Sequence, residues 1–317
     1  MIEMTDTTAS AIAAQFVRAR RRAGSPAMGM VMTLVFVVDE EDSEAAMQSA
    51  RTASREHPAR VLGVILGDAR GTARVDAQVG IGSGWTGETA MIRLRGEVTK
   101  HPESVVLPLL LPDSPVVVWW PTRAPDHPAD DPLGKLARRR ITDTAAVPRS
   151  KAKAMLTQCH NYAPGNSDLA WTRITHWRAL LAAALDQHPA KVTAASVTGE
   201  RISPSADLLS AWLADRLHVK VERTTSEGPG ITRVALETKG GPISLVRHDG
   251  KLAILSVPGE PDRPVALKRR DIDELLAEEL RHLDPDDVYA ATVKKMARTD
   301  GASGRPRSSR RPKKTSA

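Results

Sequence analysis

Residues 31–68 read VMTLVFVV (31–38), DEED (39–42), SEAAMQSARTASRE (43–56), HPA (57–59), RVLGVIL (60–66) and GD (67–68). The first run is apolar and rich in β-branched residues, the pattern of a strand buried on both faces, and the acidic cluster Asp39–Asp42 closes it. Ser43–Glu56 places Ala46, Met47, Ala50 and Ala53 on one helical face, and Arg60–Leu66 is a second buried strand ending at Gly67-Asp68. Strand, helix and strand joined by short connections cannot form a hairpin, so the two strands are expected to run parallel under a helix.

Outward from this unit the α/β pattern continues. Thr7 and Thr8 offer caps for a helix carrying Ile12, Ala13 and Phe16 and ending in the basic run to Gly24. Downstream, Arg74–Ile81 and Thr89–Leu94 alternate around a Gly-rich stretch, Gly80-Ile81-Gly82-Ser83-Gly84, and are expected to form an antiparallel hairpin. A short helix is expected over His101–Leu111 and a buried strand over Val116–Pro121, followed by a Pro/Asp-dense loop at 122–133.

The turn-rich segment 160–168 precedes one long amphipathic helix expected over Leu169–Leu185, with Ile174, Trp177, Leu181 and Leu185 on its apolar stripe. A second α/β half follows: a strand at Lys191–Val197, then a helix opened by Ser203-Pro204. Further strands are expected at Val219–Arg223, Ile231–Thr238, Ile243–Arg247 and Leu252–Ser256, with His248-Asp249-Gly250 as a hairpin turn. Asp271 and Glu274 form a capping box for a helix bearing Ile272, Leu275, Leu276 and Leu280, and a last helix spans 285–297. The expected fold is therefore α/β: two helix-covered mixed-sheet domains, 1–165 and 166–297, and a disordered basic tail, 298–317.

The net charge of +7 belongs to that tail, which holds seven basic residues against Asp300, whereas residues 1–297 carry 38 basic and 37 acidic side chains. A near-neutral body argues against nucleic acid as a partner, and the tail offers no aromatic residue to stack on bases. No apolar run approaches the roughly 20 residues of a membrane span, and no basic region precedes an apolar stretch at the N-terminus, so a cytoplasmic location is expected. A single cysteine, Cys159, excludes an intramolecular disulfide and any paired-Cys zinc site.

The search for chemistry returns little. Gly80-x-Gly82-x-Gly84 has the wrong spacing and context for a dinucleotide loop, and phosphate-loop, nucleophile-elbow and H-E-x-x-H motifs are missing. Cys159-His160 are adjacent, which on a helix end points them apart, and Asp284-Pro285-Asp286-Asp287 is the ordinary signature of a helix start. No catalytic residue, cofactor or metal is therefore assigned. Six of the ten aromatic residues are tryptophans. Trp177 and Trp212 lie on apolar stripes and belong to the core, while Trp119, Trp120 and Trp171 are the better candidates for a protein interface.

Several segments together resemble one family. Val31–Val38 before its acidic run, Ala53–Pro58, the long string Val105–Pro121 through Trp119-Trp120-Pro121, Arg139–Asp143, and Asp168–Arg178 through Trp171 are similar to the OpcA proteins, the glucose-6-phosphate dehydrogenase assembly family. The resemblance runs from about residue 5 to 295. It implies a non-catalytic partner that promotes assembly or activation of glucose-6-phosphate dehydrogenase, the entry enzyme of the oxidative pentose phosphate pathway, with no catalytic residues to carry over. Thiol-linked regulation would need an intermolecular disulfide or another modification, given one cysteine. On this reading Trp119, Trp120, Trp171, Arg173 and Arg178 contribute partner contacts. The competing readings are a sugar-phosphate-binding enzyme and a nucleic-acid-associated protein acting through the tail.

Overall fold

The computed structural model describes residues 1–23, 29–81 and 87–303. A short edge strand, β1 (Ile2–Met4), leads into α1 (Ala9–Ala23), and the sequence pattern gave no sign of that strand. Then come β2 (Met32–Val38), α2 (Ser43–Ala53), β3 (Ala59–Leu66) and the hairpin β4 (Arg74–Ile81) and β5 (Glu88–Arg95). The glycines expected at the hairpin tip, Gly82 and Gly84, lie outside the described residues. The expected helix at His101–Leu111 is α3 (Pro102–Val106) extended by a 3₁₀ turn, and β6 (Val116–Trp120) follows. Next in the chain are β7 (Arg139–Thr142), α4 (Lys151–His160) and β8 (Asn166–Asp168).

These strands make one eight-stranded mixed sheet in the order β1-β4-β5-β3-β2-β6-β7-β8. From β5 to β8 every neighbour is parallel, and only β4 and β1 add antiparallel pairs. Both faces are covered, which is why β2 and β3 are almost continuously apolar. Ile12 and Phe16 of α1 pack with Val35, Val37, Leu62, Val64 and Trp120 on one face. Met47 and Ala50 of α2 pack with Leu34, Phe36, Val61 and Trp119 on the other. Gly63 makes room inside β3, since a Cβ there would stand 2.3 Å from the Phe36 ring.

The long helix expected over Leu169–Leu185 is two helices, α5 (Leu169–Thr172) and α6 (Thr175–Gln187). The break has a tertiary cause: the Thr172 carbonyl, which a continuous helix would give to the amide four residues on, accepts from the Arg270 guanidinium instead. The second sheet comprises β9 (Val192–Gly199), α7 (Pro204–Leu217) packed beside it, β10 (Val221–Thr225), β11 (Ile231–Thr238), β12 (Ile243–Val246), β13 (Leu252–Ser256) and β14 (Arg263–Ala266). Its order is β10-β9-β11-β12-β13-β14, with β10 parallel to β9 and the rest antiparallel. Helices α4, α6 and α7 close its apolar face around Met155, Trp177, Leu181, Leu208 and Leu209.

Two final helices, α8 (Ile272–Arg281) and α9 (Asp287–Ser303), complete the chain. The capping box of α8 is present, with Asp271 and Glu274 bonding each other's backbone. Leu275, Leu276 and Leu280 of α8 pack beside α2 on the first sheet, whereas Tyr289 and Val293 of α9 pack into the second. Helix α9 runs six residues beyond the expected end at 297, and residues 304–317 of the tail lie outside the described residues.

Candidate functional site

The C-terminal ends of β7 and β8 bring Thr142, Asp143, Thr144 and Asp168 into one buried cluster. Asp168 caps α5: its carboxylate accepts from the Ala170 amide (2.8 Å), the Thr144 amide (3.1 Å) and hydroxyl (3.1 Å), and the Thr142 hydroxyl (2.6 Å). Burial and the nearby Asp143 charge push its carboxyl up to about 6, against the pull of these hydrogen bonds. Asp143 in turn holds Arg173 in a bidentate pair (2.6 and 2.8 Å). Burial works against the Arg173 charge, yet this pairing keeps its guanidinium above the ordinary value.

Gly165 leads the chain into β8 with φ +89°, and a Cβ there would lie 2.6 Å from the Arg138 carbonyl, so only glycine admits the turn that places Asp168. On the other side of the same strands Arg139 of β7 donates to Glu279 of α8 (2.6 and 3.1 Å) and to the Asp284 carbonyl (2.8 Å). The second Glu279 oxygen accepts from the Thr172 hydroxyl at 2.6 Å. This buried pair fastens the first sheet to the helix layer that the C-terminal half supplies.

Over that pair lies a groove of about 330 Å³ between α5–α6 and the α8–α9 connection. Trp171 forms its floor, donating from Nε1 to Asp286 at 2.8 Å and packing against Tyr289. The Arg178 guanidinium lies 3.7 Å from the Trp171 ring centroid, a stacked cation–π contact. Arg178 makes a long hydrogen bond to Thr175 (3.3 Å), its buried Nε has no partner, and no carboxylate among the described residues lies within ion-pair distance. Burial lowers its charge affinity, with Asp286 and Glu278 opposing. Glu278, Asp284 and Asp286 give the groove an acidic rim, beside His282.

The five residues singled out from sequence therefore separate. Trp171 and Arg178 come together in this groove. Arg173, one turn away, faces a different cavity. Trp119 and Trp120 point to opposite faces of the first sheet, as strand alternation requires, but both faces are covered by helices and the side chains are 1% and 2% exposed. Trp119 packs edge-on against Phe36, and neither indole reaches a partner surface. Trp171 is also buried, at 2% exposure, and acts beneath Arg178 rather than at the surface. Glu279 escaped notice in the sequence, and the pairing of Arg139 with it and of Asp286 with Trp171 was not foreseen, because nothing local marks residues that meet only when α8 returns to the first sheet.

The other candidates resolve simply. Cys159 is buried against Met155, and burial pushes its thiol up to about 12, while His160 turns outward to Asp300. Asp286 accepts from the Tyr289 amide at the start of α9, the capping role expected of that acidic run. No group of His, Cys, Asp and Glu among the described residues is arranged to hold a metal, and no helix among them is long and apolar enough to cross a membrane.

Two family models match in tandem. The glucose-6-phosphate dehydrogenase subunit N-terminal domain matches residues 50–160, and the corresponding C-terminal domain matches 164–293. The chain belongs to the OpcA glucose-6-phosphate dehydrogenase assembly family. No curated protein matches the sequence. Among solved structures, an oxidoreductase from Sinorhizobium meliloti aligns with this OpcA chain at 10% identity and a TM-score of 0.40, covering 87% of this chain and 90% of the other. An E. coli structure described as trehalose-6-phosphate bound with UDP-2-fluoro glucose aligns at 12% identity and a TM-score of 0.25, covering 62% and 65%. Both backbones are too distant to speak to function.

Proposed function

We propose that this chain is a non-catalytic, cytoplasmic subunit that docks on glucose-6-phosphate dehydrogenase and shifts it toward its active conformation or oligomer, in the oxidative pentose phosphate pathway. The observation that carries the reading is the tandem match to both dehydrogenase-subunit domains. An activator of this kind works only by binding the active state more tightly than the inactive one. The groove around Trp171 and Arg178 suits the contact: a rigid aromatic floor, a cation held without a carboxylate partner, and an acidic rim. Arg173 contributes by fixing the α5–α6 break through Asp143. Trp119 and Trp120 contribute by holding the strand that carries the surface loops.

The test is dehydrogenase activity against glucose 6-phosphate concentration, with and without this chain, together with co-elution on size exclusion. A lower apparent KM or higher kcat with co-elution is expected. Arg178→Ala, whose side chain lies at the groove surface, is expected to weaken the complex by about tenfold or more while leaving the fold intact. Unchanged dehydrogenase kinetics and separate elution would sink the reading.

A further inference from the structure

The N-terminus of α7 opens onto a second cavity, of about 210 Å³, between the second sheet and the α5–α6 corner. Two buried polar groups on its wall lack partners. The Ser205 hydroxyl, in a residue 9% exposed, makes no hydrogen bond, and neither does Nε of Arg247, a residue 5% exposed. The rest of the Arg247 guanidinium donates to the Leu267 carbonyl (2.9 Å) and the Ile231 carbonyl (3.0 Å) and lies over Trp177 at 5.0 Å. No carboxylate among the described residues pairs with it. A buried guanidinium without an anion is costly, and so is a buried hydroxyl without a partner.

The surroundings deepen the positive field. Lys151 and Arg269 line the cavity with no ion-pair partner among the described residues. Arg173 and Arg270 line it too, paired with Asp143 and Glu278. One acid, Glu200, stands in the wall, occupied by the Gly230 amide at 2.9 Å. The amide end of α7 adds its partial positive charge, with Ser203 capping the Ala206 amide and Pro204 bringing no N–H of its own. Burial and the Arg269 charge lower the Arg247 guanidinium to about 10, the response of a cation held among cations.

We infer that this cavity binds a phosphate monoester of a small polar molecule, its phosphoryl oxygens meeting Arg247, Ser205 and the start of α7, with Lys151 and Arg269 at the mouth. A tetrahedral oxyanion alone would not fill the volume, and Ile202, exposed at the cavity, gives a carbon skeleton an apolar wall. The site is separate from the Trp171–Arg178 groove, and its occupancy needs no dehydrogenase.

Isothermal titration of the full chain with glucose 6-phosphate, inorganic phosphate and glucose tests it. Saturable binding of the ester, weaker binding of inorganic phosphate and no heat from glucose are expected, with affinity for the ester falling at least about tenfold in Arg247→Met and in Ser205→Ala. Lys151→Ala with Arg269→Ala, both away from the core, is expected to weaken the ester several-fold without altering the melting temperature. Absence of saturable ester binding, binding of inorganic phosphate alone, equal binding of glucose, or unchanged affinity in the rim double variant would each overturn the inference.

Discussion

Asp168 concentrates the local physics of this chain in one side chain. It accepts four hydrogen bonds, yet its carboxyl is pushed up to about 6, because full burial penalises the charged form and Asp143 stands close by. An unfolded aspartate titrates near about 3.9, so between these values the folded state holds a proton that the unfolded chain has lost. The Asp168 contribution to stability is thus complete below about pH 4 and is lost as pH rises through about 6. Asp168→Asn cannot titrate, and its NH2, standing where one carboxylate oxygen was, would turn a donor toward the Ala170 or the Thr144 backbone N–H, which needs an acceptor. Denaturant unfolding is expected to show a deficit of about 1–3 kcal/mol for this variant, larger at pH 5 than at pH 7.5. A residue motif, Asp168-Leu169-Ala170-Trp171, was visible in the sequence; the reason for it was not, because the Thr142 and Thr144 partners come from another strand. The same holds for Trp119 and Trp120, whose chemistry suggested an interface and whose burial under α2 and α1 gives them to the core.

Helix starts were the most legible elements. Ser203-Pro204 and Asp271-x-x-Glu274 name their own geometry, since a cap is a contact between neighbours in sequence. Asp271→Ala removes one side of the α8 box, and a loss of about 1 kcal/mol in unfolding free energy is expected, with far-UV circular dichroism otherwise unchanged. Helix interruptions were not legible. The apolar stripe of Ile174, Trp177 and Leu181 runs on through the α5–α6 junction, and the Arg270 side chain that claims the Thr172 carbonyl arrives from nearly a hundred residues away. The strands β7, β8 and β14 are three or four residues long, too short for a period to declare itself.

At the scale of the molecule, α8 is the element that makes two α/β units into one object. It sits late in the chain yet packs Leu275, Leu276 and Leu280 beside α2, and Glu279 pairs with Arg139 under the groove. Leu276→Ala opens a cavity in the first sheet's core, and a loss of about 2–5 kcal/mol measured by chemical denaturation is expected, although residue 276 lies far beyond the first sheet in sequence. A loss confined to the second unit, with the first-sheet transition unmoved, would contradict this packing. What the sequence by itself determined is the α/β class, the parallel β2-α2-β3 unit and the mixed sheets, because each rests on period, punctuation and caps that act between near neighbours, and the family, through its resemblance in runs such as Val105–Pro121 and Asp168–Arg178. What only the tertiary structure decided is which tryptophans are core, where α8 docks, and how Arg178 and Arg247 come to be cations without carboxylates. Those facts depend on residues brought together from distant parts of the chain, and no local pattern encodes which face meets which.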